Sequence, residues 1–331
     1  MPLYAFHDLI LQTEREEQGG GEDLARLLEG LSWVRIPPRT VEPHLCLSIS
    51  LCSNGLRAPP AARELFRVDG FCAQESGEDI YLTDGSSLLH LQPAQGRGSA
   101  FIAPSFFAKP PLLQNNFWTF GLLKLLRPLG LYSLHAAGIV SNEGVGLLII
   151  GPSGSGKSTL AIGLARQGWH YLSDDAVLLR SRAETIEALA LRKHFYIDAD
   201  ASVSSGEIPL GEETPDNTGR TRRRVCLEEV YPAQYMARCL PQVLLFARIV
   251  PDAQSTLLRL DRVHALRHLL ASSGPQLFDR STMTRHLEVL KRLIRQSATY
   301  ELRAGLDLYH DPTTLIRLLN NAEGAQRWPA S

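Results

Sequence analysis

Residues Gly151-Pro152-Ser153-Gly154-Ser155-Gly156-Lys157-Ser158-Thr159 spell G-x-x-x-x-G-K-[ST], and no other string in the chain restricts the fold as much. A loop of this kind needs an apolar strand to feed it and a helix to leave it. Both are written beside it. Gly146-Leu147-Leu148-Ile149-Ile150 has the pattern of a buried strand, and Leu160-Ala161-Ile162-Gly163-Leu164-Ala165-Arg166-Gln167 continues as a helix. The glycines allow backbone N–H groups to turn inward around phosphates, so Gly151, Ser153, Gly154, Ser155, Gly156 and Thr159 form the expected cradle. Lys157 supplies a point charge toward the β and γ phosphates, and Ser158 offers a hydroxyl to Mg²⁺. The helix dipole adds positive potential at the same place. A nucleoside triphosphate with Mg²⁺ is the expected ligand.

Composition narrows the reaction only slightly. A chain of 331 residues exceeds the usual single-domain size, so two domains are expected. Its 34 Lys and Arg and 35 Asp and Glu leave a formal charge of -1, which provides no global field for nucleic acid or an anionic membrane. The cysteines Cys46, Cys52, Cys72, Cys226 and Cys239 are scattered and show no metal-binding spacing, the usage of reduced thiols in a cytoplasmic protein. Met1 to Asp8 lacks the basic and apolar regions of a secretory leader. The apolar stretch Phe117–Leu134 is broken by Lys124, Arg127 and Pro128, which argues against a membrane span.

Along the chain, Glu14 to Gly21 reads as a charged surface loop and Glu22 to Leu31 as a short amphipathic helix. Strand patterns follow at Leu47–Leu51 and Leu65–Val68, then a hairpin from Ile80 to Leu91 closed at Asp84-Gly85. Residues 1–105 are therefore expected to form a small, mostly β accessory domain. The prolines of Ala103–Pro111 mark a boundary, and Asn115-Asn116 are expected to cap a helix over Phe117–Leu126. Tyr132 to Val140 reads as one strand. It turns at Asn142-Glu143-Gly144 into the strand feeding the loop, so an antiparallel hairpin delivers the phosphate loop into a mixed sheet. Trp169–Ser173 and Val177–Leu179 read as strands on either side of Asp174-Asp175, and Thr185–Ile197 as two more. Asp198–Gly219 is polar and loop-like, Pro241–Val250 is strand-like, and the chain from Asp261 onward is expected to be helical.

Three features outside the loop can carry chemistry. Asp174 and Asp175 end the strand that returns from the loop helix, where a metal and an incoming hydroxyl would lie. Adjacent strand residues point to opposite faces, so one acid is assigned to the metal and the other to the nucleophile's proton. Asp175 as base and Asp174 as metal ligand is the preferred division, and the reverse stays open. His135 lies near the same end of the sheet, positioned to orient or charge-balance the base. Arg220, Arg222, Arg223 and Arg224 form either a solvated face or a clamp on the γ-phosphate or an acidic substrate. Glu228 and Glu229 are further metal candidates.

The segments His135–Val140, Gly144–Ser158 and Arg166–Val177 together resemble the HPr kinase/phosphorylase family. In that family a histidine-bearing strand, a phosphate loop and an R-G-[HW]-x-L-x-D-D-x-V segment follow in this order at this spacing. The resemblance is carried by residues 132–180, extends to about 310 and is absent before about 100. It implies an α/β fold like that of phosphoenolpyruvate carboxykinase over residues 106–331, with C-terminal helices. It also implies ATP and Mg²⁺ as cofactors, transfer of the γ-phosphoryl group to a serine hydroxyl, and self-association into a homo-oligomer. Its site residues map to His135, Gly156, Lys157, Ser158, Asp174 and Asp175. The R-G-x-G signature with its upstream acid is missing from Arg182–Asp200, which argues against phosphorylase activity and against the carrier protein HPr as substrate. The chain looks closer to the HPr-kinase-related proteins found beside peptide-modification genes, including lasso-peptide clusters, a resemblance that implies a ribosomal precursor peptide as acceptor. An HPr kinase/phosphorylase proper, a small-molecule kinase and a non-catalytic nucleotide-binding scaffold are the alternatives. An ABC-type ATPase is disfavoured because Ser272-Ser273-Gly274-Pro275-Gln276 is a poor substitute for its L-S-G-G-Q signature.

Overall fold

The computed structural model describes residues 1–15, 25, 28–38, 41–52, 56–68, 70–192, 194–198, 213–215, 221–274 and 280–323. By its internal contacts the chain divides into two compact units, Met1–Tyr132 and Ser133–Ser331.

In the first unit nine strands form one sheet. Their order is Val34–Ile36, Leu3–Phe6, Leu9–Arg15, Leu45–Leu51, Arg97–Ile102, Leu88–Gln92, Asp79–Thr83, Phe71–Ser76, Arg63–Val68. Leu45–Leu51 runs parallel to both of its neighbours, while the hairpin over residues 79–92 is antiparallel as expected. Helix Pro111–Leu126 packs on this sheet, with the Phe120 ring 5.2 Å and the Phe117 ring 6.2 Å from that of Phe71. A side chain at Gly121 would lie 2.2 Å from Leu89 Cδ2, so the helix backbone rests directly on the sheet. Two expectations are corrected here. The helix begins at Pro111, whose fixed φ suits a first helical position, and Asn115 and Asn116 lie inside it rather than capping it. Residues Pro104–Ala108 form a 3₁₀ turn with Phe106 buried, so the unit continues past residue 105 to Tyr132.

The hairpin turn of this unit contains a buried ion pair. Asp84 Oδ1 accepts from the N–H groups of Ser86 at 2.9 Å and Ser87 at 2.6 Å, and Oδ2 meets Lys109 Nζ at 2.6 Å. Burial pushes the Asp84 carboxyl upward, but the Lys109 bond and the two amide donors outweigh it and hold the group below its ordinary value. A depressed carboxylate stabilises the fold above its unfolded pKa of about 4 and loses that contribution as pH falls through the folded value. Asp84→Asn keeps the Oδ1 acceptor and removes the charge. Thermal melts should place it about 2–4 kcal/mol below wild type at pH 7, with the gap closing on acidification below about pH 4.

The second unit is built on a six-stranded mixed sheet. Its order is His170–Ser173, Ala136–Val140, Gly146–Ile150, Pro241–Ile249, Ala298–Ala304, Thr256–Arg259. The hairpin register runs from Ala136↔Ile150 to Val140↔Gly146, so the loop-feeding strand arrives antiparallel as expected. On its other edge it pairs in parallel with Pro241–Ile249, which pairs in parallel with Ala298–Ala304. Leu147 and Ile149 face a core made by Leu160 and Leu164 of helix Lys157–Arg166, Trp169, Leu245, Leu302 and Leu315. Helix Arg262–Ser272 lies on the opposite face of the sheet, its N-terminus capped by Asp261. The chain beyond Asp261 is not wholly helical. Ala298–Ala304 is a strand, with Tyr300, Leu302 and Ala304 buried at every second position.

Two small groups flank the main sheet. Val177–Arg182, Thr185–Ala190 and Arg238–Cys239 belong to one, a four-stranded sheet whose first strand is Leu131–Leu134; His194–Asp198, Thr221–Cys226 and Glu213–Pro215 make the other. Tyr132–Val140 is not one strand. Leu131–Leu134 and Ala136–Val140 are separated at His135, whose N–H donates to Ser272 O at 2.9 Å. Among the described residues the five cysteines are free, and no helix is long and apolar enough to cross a membrane.

Candidate active site

The glycine loop has the geometry its composition dictates. Gly154 and Gly156 adopt φ of +81° and +87°, and a side chain at Gly151 would collide with Ala247 O at 2.6 Å. Helix Lys157–Arg166 follows directly, and the N–H groups of its first turn, including those of Ser158 and Thr159, have no carbonyl partner within the helix. Ser155 Oγ is buried without a hydrogen-bond partner, and Ser153 is exposed at the tip. Such a cradle fits an anion with several acceptor oxygens.

Lys157 is nearly buried and spans the loop. Its ammonium donates to Gly151 O at 2.9 Å, to Pro152 O at 3.0 Å and to His135 Nε2 at 2.9 Å. With Nε2 accepting, the His135 proton sits on Nδ1, which lies 2.8 Å from Asp175 O and 3.1 Å from Asp175 Oδ1. A lysine, a histidine and an aspartate thus run in series at the mouth of the loop. The break in the strand at His135 makes this possible, because it frees the residue from the ladder.

The aspartate pair is turned, not extended. Asp175 adopts φ of +62° and Ala176 N–H donates to Asp174 O at 2.6 Å. The turn separates the two carboxylates. Asp174 is 1% exposed; its oxygens lie 2.8 and 3.0 Å from Ser158 Oγ, and Oδ2 accepts from Tyr196 N–H at 3.0 Å. Burial and then the neighbouring Asp175 charge push its carboxyl up to about 6, against the Tyr196 and Ser158 hydrogen bonds and the Lys157 charge. The Asp175 side chain is 37% exposed and meets Arg192 Nη1 at 3.3 Å. Desolvation raises it, but the His135 hydrogen bond and the charges of Arg192 and Lys157 prevail and hold it below its ordinary value.

A hydroxyl paired with a buried carboxylate beside an anion cradle fits a hard divalent cation that takes its remaining oxygens from phosphate and water. Among the described residues no group of three or more His, Cys, Asp or Glu is arranged to hold a metal by protein alone. Glu228 and Glu229 are exposed in the short helix Leu227–Val230. Of the arginine run, Arg220 lies outside the described residues. Arg222, Arg223 and Arg224 belong to strand Thr221–Cys226, where Arg224 is opposite Tyr196 and exposed. Sequence reasoning did not single out Arg192 or Tyr196. Arg192 was legible only as the first of two cations, with Lys193, after the apolar run Ala188–Leu191, and Tyr196 contributes a backbone group that no side-chain pattern announces.

Fold and site together define a mixed α/β protein with a strand, glycine loop and helix of the phosphate-loop type and two differentiated aspartates at its mouth. The HPr kinase/phosphorylases of Chlorobium phaeovibrioides and Chlorobium luteolum are 38% identical to this chain over 64 residues, and that of Chlorobium chlorochromatii is 36% identical over 64 residues. Each match spans 19% of this chain and 19% of the relative, about a fifth of either length. The resemblance carried by the motifs is therefore borne out: the chain is HPr-kinase-like over that segment. No family model matches the chain. The solved HPr(Ser) kinase/phosphatase of Coxiella burnetii is 14% identical, aligned over 58% of this chain and 95% of that one, with a TM-score of 0.31 that supports no detailed superposition.

Proposed function

We propose that the protein is an ATP- and Mg²⁺-dependent kinase that transfers the γ-phosphoryl group to a serine hydroxyl of a peptide or protein. The observation that supports this reading most is the division of labour between the aspartates: Asp174 with the loop hydroxyl Ser158, Asp175 with His135 and Lys157. A protein that only binds nucleotide needs the first acid and has no use for the second. Mg²⁺ held by Ser158 and Asp174 would neutralise charge between the β and γ phosphates. The loop amides and Lys157 hold the phosphates. Asp175 accepts the serine proton as the hydroxyl oxygen bonds to the γ-phosphorus and the bond to the β-phosphate oxygen breaks, leaving ADP. His135 fixes the Asp175 carboxylate through Nδ1–H. The fold that fits this chemistry is the phosphoenolpyruvate-carboxykinase-like one, and the first unit is accessory to it.

The acceptor we favour is a ribosomally made precursor peptide of the lasso type, a choice supported by the missing R-G-x-G signature. Transfer of label from γ-labelled ATP to such a peptide, and its loss when the acceptor serine becomes alanine, tests both levels of the reading. Labelling of HPr alone would move the assignment to the carrier-protein alternative. Arg192→Gln supplies a separate check on the base. Arg192 helps keep Asp175 ionised, so its removal raises the Asp175 pKa and the acidic limb of the rate profile should move to higher pH. The variant should approach wild-type rates on the alkaline side, a split that general misfolding would not produce.

A further inference from the structure

A cavity of about 500 Å³ lies on the face of the main sheet opposite the loop helix. Its walls include His135, the loop residues Gly151 and Pro152, Phe246 on the central strand, and His268 and Ala271 on helix Arg262–Ser272. Its volume falls in the range of roughly 300–1,000 Å³ typical of ligand sites. The Phe246 and His268 rings are 5.2 Å apart and tilted by 34°, making a flat aromatic wall. Arg248 Nε pairs with Glu301 Oε1 at 2.5 Å and Arg303 Nε reaches the same oxygen at 3.8 Å, so two guanidinium groups already share the one carboxylate beside the cavity. Apart from Ser272 the rest of the lining carries no polar side chain, and it includes Ile150 and Ala247.

The position of this cavity fixes what it receives. Gly151, Pro152 and His135 all accept from the Lys157 ammonium, which marks the end of the loop where the terminal phosphate sits. A nucleoside extends from the opposite end of the triphosphate. His135 is also the residue that touches Asp175, and its backbone N–H is tied to Ser272 O at the end of the helix that roofs the cavity. The cavity therefore opens toward the acceptor side of the site.

Resting on the kinase reading above, we propose that the cavity seats a bulky apolar side chain adjacent to the acceptor serine, with Phe246 and His268 as its specificity-determining wall. Seating that side chain aligns the serine hydroxyl with Asp175. A basic neighbour is disfavoured, because Glu301 is already shared by Arg248 and Arg303 and leaves no counter-ion for it.

The test uses the full chain with Mg²⁺ and a non-hydrolysable ATP analogue. Fluorescent serine peptides carrying Phe, Leu, Ala, Asp or Lys on either side of the serine are titrated, and label transfer to the same peptides is measured with ATP. Wild type should bind the Phe- or Leu-flanked peptides at least about tenfold more tightly than the Ala-flanked one, the effect expected from burying one such side chain. Ala271→Phe, which fills the cavity, and His268→Ala, which removes part of the wall, should each cut that ratio to about threefold or less. Either variant is read only where its melting curve is cooperative. Equal affinities in wild type overturn the proposal, as does an undiminished ratio in both variants. A loss of ATP affinity in Ala271→Phe with the peptide ratio intact means that the nucleoside occupies the cavity, and also overturns it. Apolar preference in binding without any transfer of label overturns the kinase reading and leaves the pocket standing; absence of peptide binding overturns both.

Discussion

Lys157→Ala and Asp175→Asn should each lower the initial rate of serine phosphorylation by two to four orders of magnitude, by different routes. Lys157 bridges the loop carbonyls and His135, and in the reading proposed here its charge moves onto the β and γ phosphates. Its loss should weaken nucleotide binding as well as transfer, because fixed donors aimed at phosphoryl oxygens are worth roughly 100- to 1,000-fold in comparable sites. Asp175→Asn should leave nucleotide binding near wild type and remove proton acceptance, a contribution of roughly 100- to 10,000-fold. The asparagine is also well chosen for the backbone. Position 175 sits at φ +62°, a conformation that asparagine tolerates better than most residues, so the variant isolates chemistry from folding. Full transfer activity in both variants would sink the assignment.

Asp174→Asn should show opposite signs for activity and stability. Asp174 is buried, crowded by Asp175 and raised to about 6, so at pH 7 the protein without a cation holds an ionised group in an environment that disfavours it. A raised carboxyl costs stability above its unfolded pKa of about 4, and the cost is fully developed above the folded value near 6. Asparagine removes that cost while retaining an acceptor for Tyr196 N–H. We expect Asp174→Asn to be more stable than metal-free wild type by on the order of 2–3 kcal/mol at pH 8, with the advantage disappearing by about pH 4. Adding Mg²⁺ and ATP should raise the wild-type melting temperature and leave the variant nearly unmoved. A variant less stable than wild type at pH 8 would refute the picture of Asp174 as a strained cation ligand.

The parts of this site that were legible in the sequence are those specified by local chemistry. The glycine loop, its strand and its helix are contiguous and each obeys a short-range rule. The hairpin was legible because Asn142-Glu143-Gly144 separates two apolar runs. The acid pair was legible as a pair, but its geometry was not: alternation in a strand would send the two side chains to opposite faces, and the turn at Asp175 replaces that alternation with a different separation. The interruption at His135 was hidden because the residues around it, Tyr132–Val140, read as one strand. Arg192 and Tyr196 depend on long-range placement of strand His194–Asp198 next to Asp174, which no local pattern encodes. The same holds for Ala298–Ala304. It follows the amphipathic helix Arg280–Gln296 after a single residue, so helical periodicity masks the switch to period two that its buried positions display. The helix start at Pro111 was misplaced because Asn115-Asn116 is a good cap by composition, while Pro110-Pro111 reads equally well as a linker.

The parallel pairing of the loop-feeding strand has a consequence for how the protein comes into being. Gly146–Ile150 closes one edge at once against its hairpin partner, but its other edge waits for Pro241–Ile249, which in turn waits for Ala298–Ala304. A ribosome must therefore deliver roughly another hundred and fifty residues after the glycine loop before the sheet beneath it is complete, and contacts of such sequence separation form slowly. During synthesis the nascent chain carries a nucleotide-type loop on a half-built sheet with an open, apolar edge. Nucleotide that binds only the finished loop would then act as a proofreader of assembly, favouring chains that have closed that edge over those that have not.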